Sequence, residues 1–538
     1  MTDHRTGQSA PAKLARRRAL TVSAMLLAGL QASTGLAAAR DGGPSTARDG
    51  GSSAAPALDW RLCSTAAADW PIKNDTRSEC AELTVPMDYA KPRGRTITIA
   101  VSRVRAAQGT TRASPVVSVL GGPGFSNISD AMSMTRRGLA ALNAEHDFIG
   151  LDLRGSGYSD HLVCDDRPGV EPLPTAPEKH FKKADFDTQA EFNNRCAAID
   201  PAFVRQITPE NAARDIDRLR VALGAEKINF YGASFGTAIG MAYRALFDRR
   251  TERMWLDSVM PPTRHWPTMD RETEAVGGES TPPFVAWLAG RDAEHGLGGD
   301  ESTVRGRLGE LRGDLERKPR TGGGVRLDGD WVVEQINRPQ EEWDHAAKAL
   351  AAVRGGGTPP AAPTPSKSPE PSKSAKPSKS ATPPRAGGAA SEPAAPIRSA
   401  GLGGPRSGFN TPQYHAMFCN TAPAGRGFGE LWAAREARRK ADPLSGGTEF
   451  SAWCAKWPLN APAARPAHGG SALQLSGHLY EYVTPYVWAE QARDATGGAL
   501  LTIVDDGHAS LPSSPCAEKA ISFFRTGQKA EGSCGGQS

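Results

Sequence analysis

The stretch NFYGASFGTAIG, residues 229–240, decides the fold prediction. An apolar run stops there at a serine between two glycines, and small and apolar residues then continue. Gly232, Ser234 and Gly236 form a G-x-S-x-G motif between a predicted strand and a predicted helix. That context is typical of a nucleophile elbow, a tight strand-to-helix turn that presents a serine for chemistry. A phosphate-binding loop would need a lysine after the second glycine, and Thr237 stands there instead.

The segments around this motif alternate between strand patterns and helix patterns. Residues 96–106 alternate as a half-buried antiparallel strand does, and the short apolar runs in PVVSVLGGPG and DFIGLDLRGSG are typical of buried parallel strands. Residues 208–224 carry an N-cap threonine, a proline at the first helical position and a terminating glycine, which together predict a helix. This alternation predicts an α/β fold with a mainly parallel sheet and helices on both faces.

A different pattern begins after the strand that follows the motif. Amphipathic segments with tryptophans predict a mostly helical insertion, and residues 355–397 within it are rich in Pro, Ser and Lys with a repeated PSKS. That segment has too little apolar surface to offset its ordering entropy, so we predict a flexible loop. Strand patterns return near the C-terminal end. We therefore predict an α/β core of residues 58–262 and 467–538, with a helical cap of residues 263–466.

The N-terminal region predicts export. Residues 1–39 run from a basic stretch through a short apolar stretch to small residues, as a secretory signal does, and residues 40–57 have a composition typical of disorder. A membrane anchor would need about 20 continuous apolar residues, and polar residues interrupt this run. We therefore expect a secreted protein without a stable membrane anchor after signal cleavage, and a monomer.

The charge of the chain argues against one class of partner. The formal net charge is +5, but much of the excess lies in residues 1–39 and 355–397. A nucleic-acid-binding protein concentrates positive charge on its folded part. We therefore expect no nucleic-acid partner.

The chain has eight cysteines, an even number that predicts disulfides in an exported protein. They lack the C-x-x-C spacing of zinc sites, so no metal is expected. They fall into four local couples in sequence order. We predict the pairs Cys63–Cys80, Cys164–Cys196, Cys419–Cys454 and Cys516–Cys534.

A nucleophilic Ser234 needs a base and an acid that follow it in the chain. His508, in TIVDDGHAS, ends a predicted strand, and it would take the proton from Ser234 and return it to the leaving group. Glu481, in GHLYEYVTP, is the carboxylate at the end of the preceding predicted strand. Asp257, at the end of the strand after the elbow, is the alternative acid.

An oxyanion hole would complete this site. The backbone amide of Phe235, directly after the serine, is one predicted donor. The loop LGGPGFSN follows an earlier strand and offers the second, for which Gly122 is the first candidate and Gly124 the alternative. Pro123 between them has no N–H to donate.

Together, LGGPGFSN, DFIGLDLRGSGYSD, NFYGASFGTAIG, VTP and DDGH resemble the secreted tripeptidyl aminopeptidases among the prolyl-iminopeptidase-related serine peptidases, in the α/β-hydrolase superfamily. The resemblance implies an α/β-hydrolase core with a helical cap and no cofactor. It also implies that Ser234 is the nucleophile, His508 the base and Gly122 an oxyanion donor. One departure is GHLYEYVTP, where the usual G-x-x-D-P-x-T-P gains a residue and has glutamate for aspartate.

The resemblance implies an exopeptidase that releases short peptides, typically tripeptides, from the N-termini of peptides or proteins. A cap that closes one end of the crevice limits how much chain fits, and an acidic group there can bind the free α-amine. Glu274 and Glu279 lie in the right region of the sequence. A carboxylesterase with the same residues remains an alternative, because the fold and these residues do not specify the leaving group. A non-catalytic binding protein that kept the fold is the other alternative, and the departure at YEY is its only support.

Overall fold

The computed structural model describes residues 58–109, 113–278, 281–361, 397–398 and 401–536. The predictions for residues 1–39 and 40–57, and for all but the ends of the segment 355–397, lie outside these described residues.

Strands and helices alternate through the described residues. The strands are β1 (Arg61–Leu62), β2 (Ser78–Pro86), β3 (Thr96–Val104), β4 (Val116–Val119), β5 (Phe148–Leu151), β6 (His161–Leu162), β7 (Ile228–Ala233), β8 (Thr251–Asp257), β9 (Arg320–Gly322), β10 (Val325–Leu327), β11 (Ile397–Arg398), β12 (Ala472–His478), β13 (Ala499–Val504) and β14 (Gly532–Gly535). The helices of the first half are α1 (Cys63–Ala66), α2 (Asp130–Met134), α3 (Glu178–Ile199), α4 (Pro201–Val204), α5 (Pro209–Ala222), α6 (Phe235–Phe247), α7 (Trp266–Gly277) and α8 (Thr281–Ala289). Those of the second half are α9 (Asp292–His295), α10 (Glu301–Arg317), α11 (Gly329–Ile336), α12 (Trp343–Arg354), α13 (Thr411–Cys419), α14 (Phe428–Ala441), α15 (Tyr486–Thr496) and α16 (Ala517–Thr526).

The main sheet of the described chain has ten strands in the order β1-β2-β3-β5-β4-β7-β8-β12-β13-β14. In this order, the seven strands from β5 through β14 pair in parallel, whereas β1, β2 and β3 form an antiparallel edge. The carboxyl ends of β4, β7, β8, β12 and β13 therefore meet at one edge of the sheet, where ligands bind in open α/β folds. The predicted α/β class is confirmed.

Helices cover both faces of this sheet. On one face, Ile216 of α5 and Ile239 of α6 belong to the same buried apolar cluster as Phe230 of β7. On the other face, Phe523 of α16 packs on Trp255 of β8, with the ring centroids 5.5 Å apart. Burial of this apolar area on both faces is the main term that stabilises the core.

Helix α5 shows why the capping signals in the sequence were sufficient to predict a helix of the core. The side chain of Thr208 accepts a hydrogen bond from the amide of Asn211 at 3.1 Å, and Pro209 occupies the first helical position. This N-cap satisfies one of the amides that a helix leaves without an internal partner.

The insertion between β8 and β12 holds helices α7 to α14. It contains a separate apolar cluster, in which Phe284, Leu308, Trp331 and Leu350 are buried. The backbone of Ile397–Arg398 pairs with His161–Leu162, so the C-terminal end of the segment predicted as a flexible loop joins a two-stranded sheet.

Four disulfides connect Cys63 with Cys80, Cys164 with Cys196, Cys419 with Cys454, and Cys516 with Cys534, which are the pairs that sequence order predicts. Disulfides of this number are typical of chains that fold in an oxidising compartment. Within the part of the chain that the structure describes, no helix combines the length and apolar character needed to span a bilayer.

Candidate active site

Ser234 is the single residue between β7 and α6, in the turn that the G-x-S-x-G motif predicts. Its backbone has φ 54° and ψ −129°, a conformation that side-chain-bearing residues rarely adopt and that is found at functional sites. The flanking glycines are required by packing. A Cβ at Gly236 would lie 1.8 Å from the carbonyl oxygen of Val119, and one at Gly232 would lie 2.9 Å from the Gly236 oxygen.

Glu481 binds the imidazole of His508. The Nδ1 atom of His508 lies 2.5 Å from Oε1 of Glu481, and the carboxylate is buried while the His508 side chain is 35% exposed. Two further side chains hold the carboxylate: Thr484 donates its hydroxyl to Oε1 at 2.5 Å, and Ser258 donates its hydroxyl to Oε2 at 2.8 Å. A carboxylate held in this way can orient the ring and stabilise its protonated form.

The alternative acid has a different partner. Asp257 is the last residue of β8 and is buried, and its Oδ1 accepts hydrogen bonds from Ser476 at 2.6 Å and from Nε2 of His478 at 3.1 Å. The structure therefore pairs Glu481, and not Asp257, with His508.

The loop after β4 covers the serine. A Cβ at Gly121 would lie 2.5 Å from the Ser234 hydroxyl and 2.6 Å from the amide nitrogen of Phe235, so only a glycine fits there. Gly122 follows with φ 75°, and its carbonyl accepts a hydrogen bond from the amide of Phe125 at 3.1 Å. The Phe235 amide opens α6, where helix geometry leaves it without an internal acceptor. The two predicted oxyanion donors thus belong to backbone that meets at Ser234, and the close approach of Gly121 was missed from the sequence.

A buried carboxylate holds this loop in place. Oδ1 of Asp152 accepts hydrogen bonds from the Ser126 hydroxyl at 2.8 Å and from the amides of Asn127 and Ile128 at 2.7 and 3.0 Å. Its Oδ2 accepts a hydrogen bond from the amide of Tyr158 at 2.8 Å. The motif DLRGSGYSD therefore supports the glycine loop from behind.

Ser234 and His508 line one cavity of about 590 Å³. Its wall is mainly apolar, and much of it consists of aromatic side chains from the glycine loop, the cap and the loop after β12. These are Phe125, Trp266, Tyr414, Phe418, Trp453 and Tyr482. A pocket with this lining and volume suits a small organic ligand or a short peptide.

Two carboxylates from the cap line the same cavity. Asp270, on α7, is buried and accepts a hydrogen bond from the amide of Ser451 at 3.2 Å, and Glu449 accepts one from the hydroxyl of Tyr482. Burial raises the pKa of both carboxyls above the ordinary values. Such groups gain from a cationic partner, because burial without one disfavours their charged form.

Two family models match this chain. Residues 115–279 match the alpha/beta hydrolase fold family, and residues 446–534 match the family described as TAP-like protein. The chain has the α/β-hydrolase fold, and its C-terminal part is similar to TAP-like proteins. The first match contains Ser234, and the second contains both Glu481 and His508.

The curated relatives of this chain include peptidases. Tripeptidyl aminopeptidases from Streptomyces lividans and Streptomyces coelicolor are each 32% identical over 273 residues, which is 49% of this chain and 50% and 49% of those proteins. Serine protease Hip1 from Mycobacterium tuberculosis is 29% identical over 211 residues, which is 38% of this chain and 40% of that protein. The chain therefore spans about half the length of these tripeptidyl aminopeptidases.

Of the two acidic residues predicted for amine binding, Glu274 does not line the cavity. Glu274 accepts hydrogen bonds from the amides of Gly447 and Thr448 at 2.8 and 3.0 Å and from Arg438 at 3.1 Å, so it holds a loop of the cap. Glu279 lies outside the described residues. The heptapeptide TMDRETE contains both Asp270 and Glu274, which lie four residues apart on α7, and nothing in that spacing distinguishes their roles.

Proposed function

We propose that this hydrolase is a secreted serine peptidase that releases short peptides, in the first place tripeptides, from free N-termini. The observation that carries the proposal is a single apolar cavity whose wall holds Ser234 and His508 together with the carboxylates of Asp270 and Glu449. A peptide with a free α-amine offers a cation for the carboxylates and a carbonyl for the serine.

The proposed reaction uses the residues at the edge of the sheet. The hydroxyl of Ser234 attacks the peptide carbonyl while His508 accepts its proton, and Glu481 stabilises the imidazolium that forms. The amides of Phe235 and Gly122 donate to the oxyanion. His508 then protonates the leaving amine, and water resolves the acyl-enzyme.

The cavity would set the length of peptide that is removed. Its volume of about 590 Å³ falls within the range that encloses drug-sized ligands, which suits a few residues rather than a folded chain. An ammonium group bound by Glu449 and Asp270 would form charge-assisted hydrogen bonds in a largely desolvated place. The distance from those carboxylates to the serine would then decide which bond is cut.

The relatives and the disulfides support the finer parts of the proposal. Proteins named tripeptidyl aminopeptidase and serine protease are among those similar to this chain. The four disulfides, like the basic and then apolar N-terminal sequence, fit an exported enzyme.

The proposal is tested by hydrolysis of matched substrates. The purified protein is given a chromogenic tripeptide amide with a free N-terminus, its N-blocked twin, a single-residue proline amide and a short acyl ester. We expect rapid cleavage of the free tripeptide amide alone among the amides. Cleavage of the ester alone would replace the peptidase with a carboxylesterase.

The amine site is tested by the substitution Glu449→Gln. This change removes a charge and keeps the side-chain shape, so we expect KM for the free tripeptide amide to rise roughly 10- to 100-fold, the equivalent of one charge-assisted hydrogen bond or more. Hydrolysis of the acyl ester, which has no amine, should change less than twofold. The control is Glu518→Gln, an exposed glutamate on α16. Equal losses for both substrates with Glu449→Gln would contradict amine binding at this residue.

A further inference from the structure

A second histidine lies behind the pair formed by His508 and Glu481. His478 ends β12 and is fully buried. Its Nδ1 atom lies 2.6 Å from Oδ1 of Asp505, and its Nε2 atom lies 3.1 Å from Oδ1 of Asp257. Because each ring nitrogen faces a carboxylate oxygen, the arrangement favours the imidazolium form, in which both nitrogens are donors. Burial alone would lower the pKa of His478, but the two carboxylates raise it to about 9.

One of these carboxylates holds the residues on both sides of His508. Asp505 accepts a hydrogen bond from the amide of Gly507 at 3.3 Å and one from the Ser510 hydroxyl at 2.8 Å. The Asp505 carboxylate therefore binds residues on both sides of His508 and holds the segment 505–510 in shape.

The residue after Asp257, which carries the other carboxylate, makes a second connection to the same loop. Ser258 follows Asp257 directly with φ 51°, and its hydroxyl donates to Glu481 at 2.8 Å while it accepts a hydrogen bond from the amide of Ala509 at 2.8 Å. His478 thus bridges the ends of β8 and β13, which lie on either side of its own strand in the sheet.

The charges around His478 are unbalanced without its proton. Asp257 on β8, Asp505 after β13 and Glu481 on its own loop all face it, and Ser510 contributes only a neutral hydroxyl. Tyr231 on β7 also faces Asp257, but burial and that carboxylate raise the pKa of its phenol well above the ordinary value, so it stays neutral. The imidazolium is the positive charge in direct contact with Asp257 and Asp505, while Arg137 and Asp130 act on the same cluster through Tyr231.

We propose that His478 is a positioning residue for His508: as a buried cation between Asp257 and Asp505 it holds the loop that carries His508 in line with Ser234 and offsets the negative charge behind the base. The inference rests on the proposed function only in taking His508 as the base of Ser234. It involves neither the peptide nor the amine site.

The test is the substitution His478→Gln, read by the rate at which a fluorophosphonate modifies Ser234 between pH 5 and 10. We expect the rate at pH 8 to fall roughly 10- to 100-fold, as a misplaced catalytic group does. The acid limb of the profile should move up by roughly one pH unit, because uncompensated carboxylates favour protonated His508. KM for the free tripeptide amide should change less than twofold, since His478 does not line the cavity.

A matched control and a second variant separate positioning from folding. His146→Gln removes another buried histidine, which contacts the carbonyl of Ser114, away from the carboxyl edge of the sheet, so it should leave the pH profile unchanged. Adding Asp505→Asn to His478→Gln removes one carboxylate along with the cation, so the acid limb should return towards that of the unchanged protein. If His478→Gln does not fold, the double variant is compared with Asp505→Asn alone. The difference in rate and acid limb between these two variants then measures the effect of His478.

The outcomes distinguish this inference from the proposed function. Labelling of the unchanged protein, with an unshifted profile and rate for His478→Gln, would overturn the positioning role and leave the peptidase proposal intact. A shift of equal size in His146→Gln would also overturn it. Failure of the unchanged protein to react with the fluorophosphonate would overturn both.

Discussion

At the scale of single residues, the side chain of Glu481 is long enough to reach His508 although its sequence position departs from the family pattern. The chain places a glutamate one residue later than the usual aspartate, and the longer Glu481 still reaches His508 at 2.5 Å. The extra residue is accommodated because the amides of Leu479 and Tyr480 continue to bond to the carbonyls of Ile503 and Asp505, at 2.9 and 3.0 Å. Glu481 therefore contacts His508 despite the departure from the pattern.

We predict that Glu481→Ala lowers kcat by roughly 10³- to 10⁴-fold, the scale seen when the acid of such a triad is lost. Glu481→Asp should cost roughly 10²-fold, because the shorter side chain cannot reach His508 while it keeps the bond from Ser258. Steady-state kinetics on the acyl ester measure both effects. The control is Glu518→Asp, at the surface. Near-normal turnover of Glu481→Ala would show that another group orients His508.

At the scale of elements, the loop after β4 and the loop after β5 form one unit through Asp152. The glycine loop has few side chains of its own with which to hold its shape. The buried carboxylate replaces them by accepting amide and hydroxyl hydrogens from two chain segments. Removing it leaves buried donors without partners, which is more costly than losing the bonds alone.

We predict that Asp152→Ala lowers the free energy of unfolding by roughly 3 kcal/mol and lowers kcat by roughly 10²-fold, because the Gly122 amide loses its position. Urea unfolding and ester kinetics are the measurements. Asp200→Ala is the matched control, since Asp200 is also buried and caps α4 by accepting from the Phe203 amide at 2.9 Å, away from the site. It should lower stability and leave kcat unchanged. Equal kcat for the two variants would remove the link between Asp152 and the oxyanion loop.

At the scale of the whole molecule, the cap contributes to the cavity through segments that a disulfide joins. Cys419 ends α13, which carries Tyr414 and Phe418, and Cys454 follows Trp453 directly. The three aromatic rings lie 4.9 to 5.7 Å apart by their centroids and line the cavity. The shape of the cavity therefore depends on this bond.

We predict that replacing both Cys419 and Cys454 by serine lowers the free energy of unfolding by roughly 3 kcal/mol and raises KM for the free tripeptide amide roughly tenfold, because the aromatic wall loosens. The same double replacement at Cys63 and Cys80, which join β2 to α1, should destabilise the protein similarly without a change in KM. Thermal unfolding and steady-state kinetics separate the two effects. A rise in KM for both double variants would indicate a general loss of structure.

The sequence by itself determined the elbow at Ser234, the alternation of strands and helices, the disulfide couples and the pairing candidates His508 and Glu481. These features depend on local patterns, namely apolar periodicity, turn glycines, helix caps and the order of strand ends along the chain. The parallel sheet then brings the strand ends to one edge, so that residues far apart in the chain meet without further information.

Only the tertiary structure decided which carboxylates face the cavity and which lie behind it. Glu274 and Asp270 share a helix, yet loop amides bind the first and the cavity exposes the second. Glu449 reaches the same cavity from a segment far along the chain, and His478 becomes a cation only because two other strands place carboxylates at its ring nitrogens. The physical reason is that burial and charge at a site depend on all the elements packed around it, whereas propensity and periodicity depend on neighbours in the chain.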